Sequence, residues 1–311
     1  MDRSTRKRLI LAKIESVYGT DPTPTAADNA VLIFDPKITP LVAEKKQRKP
    51  VRPYFGSAKT LLAAQHAEIS FAVDFAGAGA AGTVPAYGPL LRACACSQAI
   101  TAGVKVEYAP VTDSLESVTI YYHDDGLLHK LVGCRGTADI KLLDNDWPQI
   151  VFRFVGLKGG RAATANPASP VFTSWIDPII VNDTNTGDIT LGATPYPSKG
   201  LEISFGNNVV YKSRLGLESV RITDRNPTGR SSLDLTAAEE LALLTQIEAS
   251  TTQTLGLVHG TTAGNIVEVS AAAAQLLEPS DEDDDGAKLT GYALELKPGA
   301  SGNDEFKITV R

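Results

Sequence analysis

The chain has 311 residues, 43% of them hydrophobic and 21% charged, with a formal net charge of −6. That length accommodates two domains of ordinary size, each with a substantial core. An acidic balance argues against a general nucleic-acid-binding surface, which is normally basic.

The basic start and the short apolar run at residues 9–12 resemble a signal peptide only briefly, because Lys13 and Glu15 interrupt the run. No window approaches the roughly 18 apolar residues of a membrane helix, so synthesis and folding in the cytoplasm are expected. Residues 8–17 read as a short helix that ends before Gly19-Thr20-Asp21-Pro22-Thr23-Pro24, where two prolines bar further helix. Residues 30–34 read as a buried strand. Residues 44–57 form a polar stretch with Lys45, Lys46, Arg48, Lys49 and Arg52, interrupted by Pro50 and Pro53. Such a stretch is a long exposed loop or the tip of a long hairpin.

Residues 68–75 alternate as a strand, a Gly-rich bend follows, and residues 87–96 make a short apolar helix. Strands are expected at 104–109 and 117–123. Asp125-Gly126 is a hairpin signal before further strands at 128–132 and 137–143. Asp144-Asn145-Asp146 turns the chain into a strand at 149–155. Residues 157–199, rich in Gly, Ala, Thr, Asn and Pro, read as a linker, although Trp175, Ile176, Ile179 and Ile180 argue that part of it packs. A similar order then returns: strands at 201–205 and 217–223, a helix at 237–249, more strands, and a last strand at 305–310. Residues 278–286 read as an acidic loop between strands.

Helices are short and few, and strand period dominates, so the fold class is β-rich α+β rather than alternating βαβ. The repeated order points to internal duplication. The implied organisation is an N-terminal extension over 1–30, a first β domain over 31–157, a linker region over 158–198 and a second β domain over 199–311.

Several motifs invite chemistry. Residues 77–82 fit G-x-G-x-x-G after a strand and before a helix, the pattern of a dinucleotide fold. A dinucleotide fold, however, needs helices alternating with parallel strands, whereas here strand, hairpin and strand follow. Residues 281–286 match the first half of a calcium loop, but the twelfth position is Tyr292 where a bidentate Glu is required. His123 and His129 flank the Asp-Gly turn and could approach each other beside Asp124 and Asp125, although an open hairpin tip preorganises a metal site poorly. The three cysteines, Cys94, Cys96 and Cys134, give no disulfide framework and lack redox or zinc spacing, so buried thiols in a reducing compartment are expected. No nucleophile, zincin or phosphate-loop motif is present, so neither an enzyme nor a cofactor is expected.

The opening from Leu9 through Tyr18-Gly19-Thr20-Asp21-Pro22-Thr23-Pro24-Thr25-Ala26-Ala27 to Leu32 resembles the start of tail tube proteins of long, flexible-tailed, non-contractile bacteriophages, the siphovirus type. The resemblance implies tandem β-sandwich, barrel-forming units, each flanked by a short helix. Such subunits associate side by side, so that a sheet of each lines a hollow tube that conducts DNA. It further implies a long hairpin reaching the adjacent ring, matched here by residues 44–57, with residues 206–213 as its counterpart in the second unit. The implied partners are other copies of the chain, tape measure protein and DNA in the lumen, and tail terminator and distal tail proteins. The place is the virion tail, made in the host bacterial cytoplasm, with no membrane involved. Two tube-like units per chain predict three chains per pseudo-sixfold ring. A sixfold ring with residues 199–311 as an outer decoration is the alternative. Lys45, Lys46, Arg48, Lys49 and Arg52 facing Asp281, Glu282, Asp283, Asp284 and Asp285 are the candidate contacts between rings, since opposed charge sets register. A baseplate or adhesin-type β-sandwich that binds a cell-surface ligand is the other reading of such a chain.

Overall fold

A computed structural model describes residues 3–311. The first half holds β1 (Arg8–Ile14), β2 (Ala30–Val31), β3 (Phe34–Gln47), β4 (Thr60–Asp74), α1 (Gly88–Ala93), β5 (Ala99–Thr101), β6 (Lys105–Tyr108), β7 (Val118–Asp124), β8 (Leu127–Leu143) and β9 (Gln149–Ala163). The second half holds β10 (Ile189–Leu191), β11 (Thr194–Tyr196), β12 (Ser198–Ser204), β13 (Asn207–Arg214), β14 (Leu217–Arg225), β15 (Thr228–Leu233), α2 (Ala237–Glu248), β16 (Thr252–His259), β17 (Val267–Asp284), β18 (Ala287–Leu296) and β19 (Lys307–Val310). The fold class is β-rich with two short helices, as the alternating patterns require.

Local chemistry accounts for most elements. Asp125, at φ 41°, and Gly126 close the β7–β8 hairpin in the left-handed backbone that such a turn needs. Thr236 and Glu239 form a reciprocal capping box at the start of α2. Residues 44–57 lie at the end of the long β3–β4 hairpin. Three expectations are corrected. The stretch expected as a helix at residues 8–17 is strand β1, because pairing with β2 and β7 buries both its faces: Ile10 and Ala12 enter the main core, Leu9 and Leu11 a smaller one beside Tyr121 and Leu128. The two strands expected between 128 and 143 are one, β8, with a bulge between Val132 and Arg135 where they were divided. The acidic loop is the end of the β17–β18 hairpin, in which Asp281–Asp284 are still paired strand residues.

All strand pairings are antiparallel, and the two halves follow one plan. The first runs β1–β7–β8–β9–β4–β3. The second runs β10–β16–β17–β18–β15–β12. Each has its helix after the fifth of these strands in spatial order, α1 after β4 and α2 after β15. The strand ends before the helices read alike, Val73-Asp74-Phe75 and Leu233-Asp234-Leu235. The halves meet edge to edge: β12 pairs with β8 from Gly200↔Leu143 to Ser204↔Asp139. One core of buried residues runs through both, from Ile10 to Val310. The β13–β14 hairpin forms its own two-stranded sheet and packs against β8 and β9.

Candidate assembly surfaces

The seam between the halves produces a sheet of eight strands in the order β3–β4–β9–β8–β12–β15–β18–β17. Alternation makes one face apolar and one polar. Ala138, Ile140, Leu142, Ile150, Phe152, Phe154, Leu201 and Ile203 point into the core. The other face carries charges paired between neighbouring strands. Arg153 meets Asp139 at 2.5 Å, Ser204 donates to Asp139 at 2.7 Å, Lys141 meets Glu202 across the seam at 3.4 Å, and Arg230 meets Glu282 at 2.6 Å. Hydrogen bonds from Ser232 and Arg230 hold the Glu282 carboxyl below its ordinary pKa. The face is therefore polar but largely self-neutralised.

Both outer edges of this sheet lack a partner among the described residues. β3 pairs only with β4. β17 pairs with β16 as far as Gln275, which leaves residues 276–284 open on that side. Open edges are templates for another strand.

The sequence-predicted charge clusters lie far apart. Strand direction alternates across all eight strands, so the end of β3 and the end of β17 leave opposite ends of the sheet. The basic tip therefore projects from one end and the acidic tip from the other. Lys45, Lys46, Arg48, Lys49 and Arg52 are all exposed, with Lys46 bonded to Glu44 at 2.7 Å. The same tip exposes Val51 and Phe55 fully and Tyr54 by about two thirds. The acidic tip is partly tied down: Asp284 pairs with Lys199, Asp281 with Lys288 at 3.4 Å, and Glu282 with Arg230. Asp283 and Asp285 are exposed and make no ion pair among the described residues. The β13–β14 hairpin leaves β12 at the same end as the basic tip and exposes Leu215 at its own turn.

The N-terminal motif has a structural task. The Glu15 carboxylate, buried beyond β1, accepts hydrogen bonds from Ser117 Oγ and Thr119 Oγ1 at 2.6 Å and from the backbone N–H groups of Gly19 and Gly133 at 2.7 Å. The Tyr18 hydroxyl accepts from the Val220 N–H at 2.6 Å, and its ring lies 4.9 Å from the Arg135 guanidinium carbon. Gly133 is required there, because a Cβ would meet the Tyr18 ring at 2.9 Å. Asp21 accepts from Tyr121 and from Lys130 Nζ at 3.0 Å. One short segment thus fastens β1, β7, β8 and the β13–β14 hairpin together.

Residues 5–301 match the family model described as phage tail tube protein. The chain belongs to that family. A comparison with curated proteins gave no match.

In this tail tube protein the remaining motifs resolve into packing. The glycines at 77–82 allow backbone contact, not phosphate binding: Gly79 N–H donates to the Gly264 carbonyl at 2.9 Å, and a Cβ on Gly77 would lie 2.1 Å from that same oxygen. They let the first half touch the second at a distance no side chain permits. His123 pairs in register with Leu128 and His129 with Tyr122, so the two rings point to opposite faces of the hairpin and do not converge. Burial lowers the pKa of both. The acidic run sits on a β-hairpin without flanking helices, which is not calcium-loop geometry. All three cysteines are buried, and burial pushes the Cys96 thiol up to about 12. Among the described residues no helix is long and apolar enough to cross a membrane.

Proposed function

We propose that the tail tube protein is the repeating subunit of a non-contractile, siphovirus-type tail tube, and that three chains close each ring. The observation that carries this reading is the eight-stranded sheet with two open edges, built from two units of one plan. A tandem pair supplies two sixths of a ring, so three chains give six pseudo-equivalent units and leave no edge exposed. The two tube units follow the strand plan, so the first takes in β1 ahead of residues 31–157 and the second takes in β10 ahead of residues 199–311. The polar face of the sheet lines the lumen. Its charges are mostly paired across strands, so DNA passes no run of free cations to which its phosphates would bind.

Rings stack head to tail. The basic tip, with Lys45, Lys46, Arg48, Lys49 and Arg52, meets the acidic tip, with Asp281–Asp285, of the ring beyond, because the two leave opposite ends of the sheet. Exposed Val51, Tyr54 and Phe55 add apolar area to that contact. The role is structural, with no catalytic step. Tape measure protein and DNA occupy the lumen in turn, tail terminator and distal tail proteins bind the tube ends, and production is in the bacterial cytoplasm.

Electron microscopy of the purified chain tests the reading. Hollow filaments of uniform bore with threefold averaged rings are expected. True sixfold rings with one tube domain per chain overturn the trimer, and a small closed oligomer that binds a surface ligand favours a baseplate module instead.

A further inference from the structure

We infer that the ring-closing joint is a copy of the chain's own β8–β12 seam, with β3 of one subunit laid antiparallel on residues 280–282 of β17 in the next. This rests on the tube reading and specifies which residues meet.

The two units share one strand order, and the matching ends Val73-Asp74-Phe75 and Leu233-Asp234-Leu235 set the register. Counting back four residues from Val73 and from Leu233 reaches Ile69 and Gly229, whose partners are Ile38 and Ile203. Lys37 is thus the counterpart of Glu202, and Thr39 that of Ser204. On the other side, Val73 leads through Ile150 to Ile140, and Leu233 leads through Thr290 to Asp281. Glu282 is thus the counterpart of Lys141, and Ser280 that of Asp139. In the seam, Glu202 lies opposite Lys141 and Ser204 opposite Asp139. Carried to the open edges, Lys37 lies opposite Glu282 and Thr39 opposite Ser280. The charge pair of the seam reappears with its signs exchanged.

Three further observations agree. Lys37 is exposed and makes no ion pair among the described residues, while Glu282 already stands on the polar face beside Arg230. Pro36 and Pro40 bracket residues 37–39, and Pro279 precedes residues 280–282. Prolines withdraw N–H groups from an edge, so they mark off a short ladder at the matching place on each open strand. Finally, where the seam buries Ile140 against Ile203, the joint sets exposed Asp281 beside Ile38. The joint is therefore more polar than the seam and depends on charge for its register, as a contact made between separate subunits requires.

Paired cysteines decide the matter. All native cysteines are buried and stay silent. Thr39→Cys with Ser280→Cys, and separately Lys37→Cys with Glu282→Cys, place thiols on directly opposite residues, within reach of a disulfide. With oxidised glutathione, assembled tubes of either double variant are expected to give covalent species that end at three chains on non-reducing gels, while single variants give none. Lys37→Glu alone is expected to lose tubes and Lys37→Glu with Glu282→Lys to regain them. Tubes that assemble normally yet crosslink with neither pair overturn this joint and leave the tube reading intact. A wild-type chain that stays monomeric at high concentration removes both.

Discussion

β12 and β3 hold the same place in two copies of one plan, yet their outer edges differ. β12 is sealed by β8 within the chain, while β3 is open. The same contrast holds between β8, covered along residues 139–143, and β17, bare along residues 276–284. In the proposed ring, the seam within each chain is every second joint. The internal joint is apolar on its core side, while the proposed external one is charged and flanked by prolines. On the proposed joint, separate copies pair as β8 and β12 already pair within the chain.

Substitutions can break that comparison. The largest effect is expected in the first unit alone, whose β1 is locked by Glu15. Glu15→Ala strands two hydroxyls and two N–H groups in a buried site and should cost about 3–5 kcal/mol, read from a denaturant melt. Ile203→Ala opens a cavity at the seam and should cost about 2–5 kcal/mol by the same measurement, while Ile38→Ala on the open edge should cost clearly less. Acidification acts through buried histidines in both units, since burial lowers the pKa of His123, His129 and His259 alike. His123 has neither ring nitrogen partnered, whereas His259, at the end of the matching region of β16, bonds Thr186 Oγ1 through Nδ1 at 2.8 Å. Burial lowers the pKa of His123 from 6.5, so the unfolded chain takes up the proton first and stability falls as pH drops below about 6.5. The melt midpoint should be lower at pH 5.5 than at pH 7.5, and His123→Phe should flatten that slope. The smallest effect is expected from Glu202→Ala, under about 1 kcal/mol, because its pair with Lys141 is half exposed. A large loss there would mean that charge also holds the halves together, and that seam and joint are less different than their burial indicates.

Much of the fold was legible in local chemistry. Asp125-Gly126 announces its hairpin, Thr236 and Glu239 announce their helix, and the prolines and cations of residues 44–57 read as an exposed loop or a hairpin tip, of which the structure shows the tip. Residues 8–17 misled, since their apolar spacing allows a helix and only burial by β2 and β7 on two sides makes them a strand. The acidic run misled for the opposite reason: like charges predict a loop, yet Arg230, Lys199 and Lys288 neutralise three of them within a hairpin. The candidate contact residues were visible as clusters of one sign, but not the residues of the edges themselves.

By itself the sequence determined the kind of element at most positions, the repeated order, and the two charged tips. These rest on interactions within a few residues, which periodicity and turn chemistry record. Tertiary structure alone decided that the halves fuse through β8 and β12, that the tips point opposite ways, and that β3 and β17 are left open. Strand neighbours are chosen by hydrogen bonds between residues far apart in the chain, for which the local pattern holds no mark.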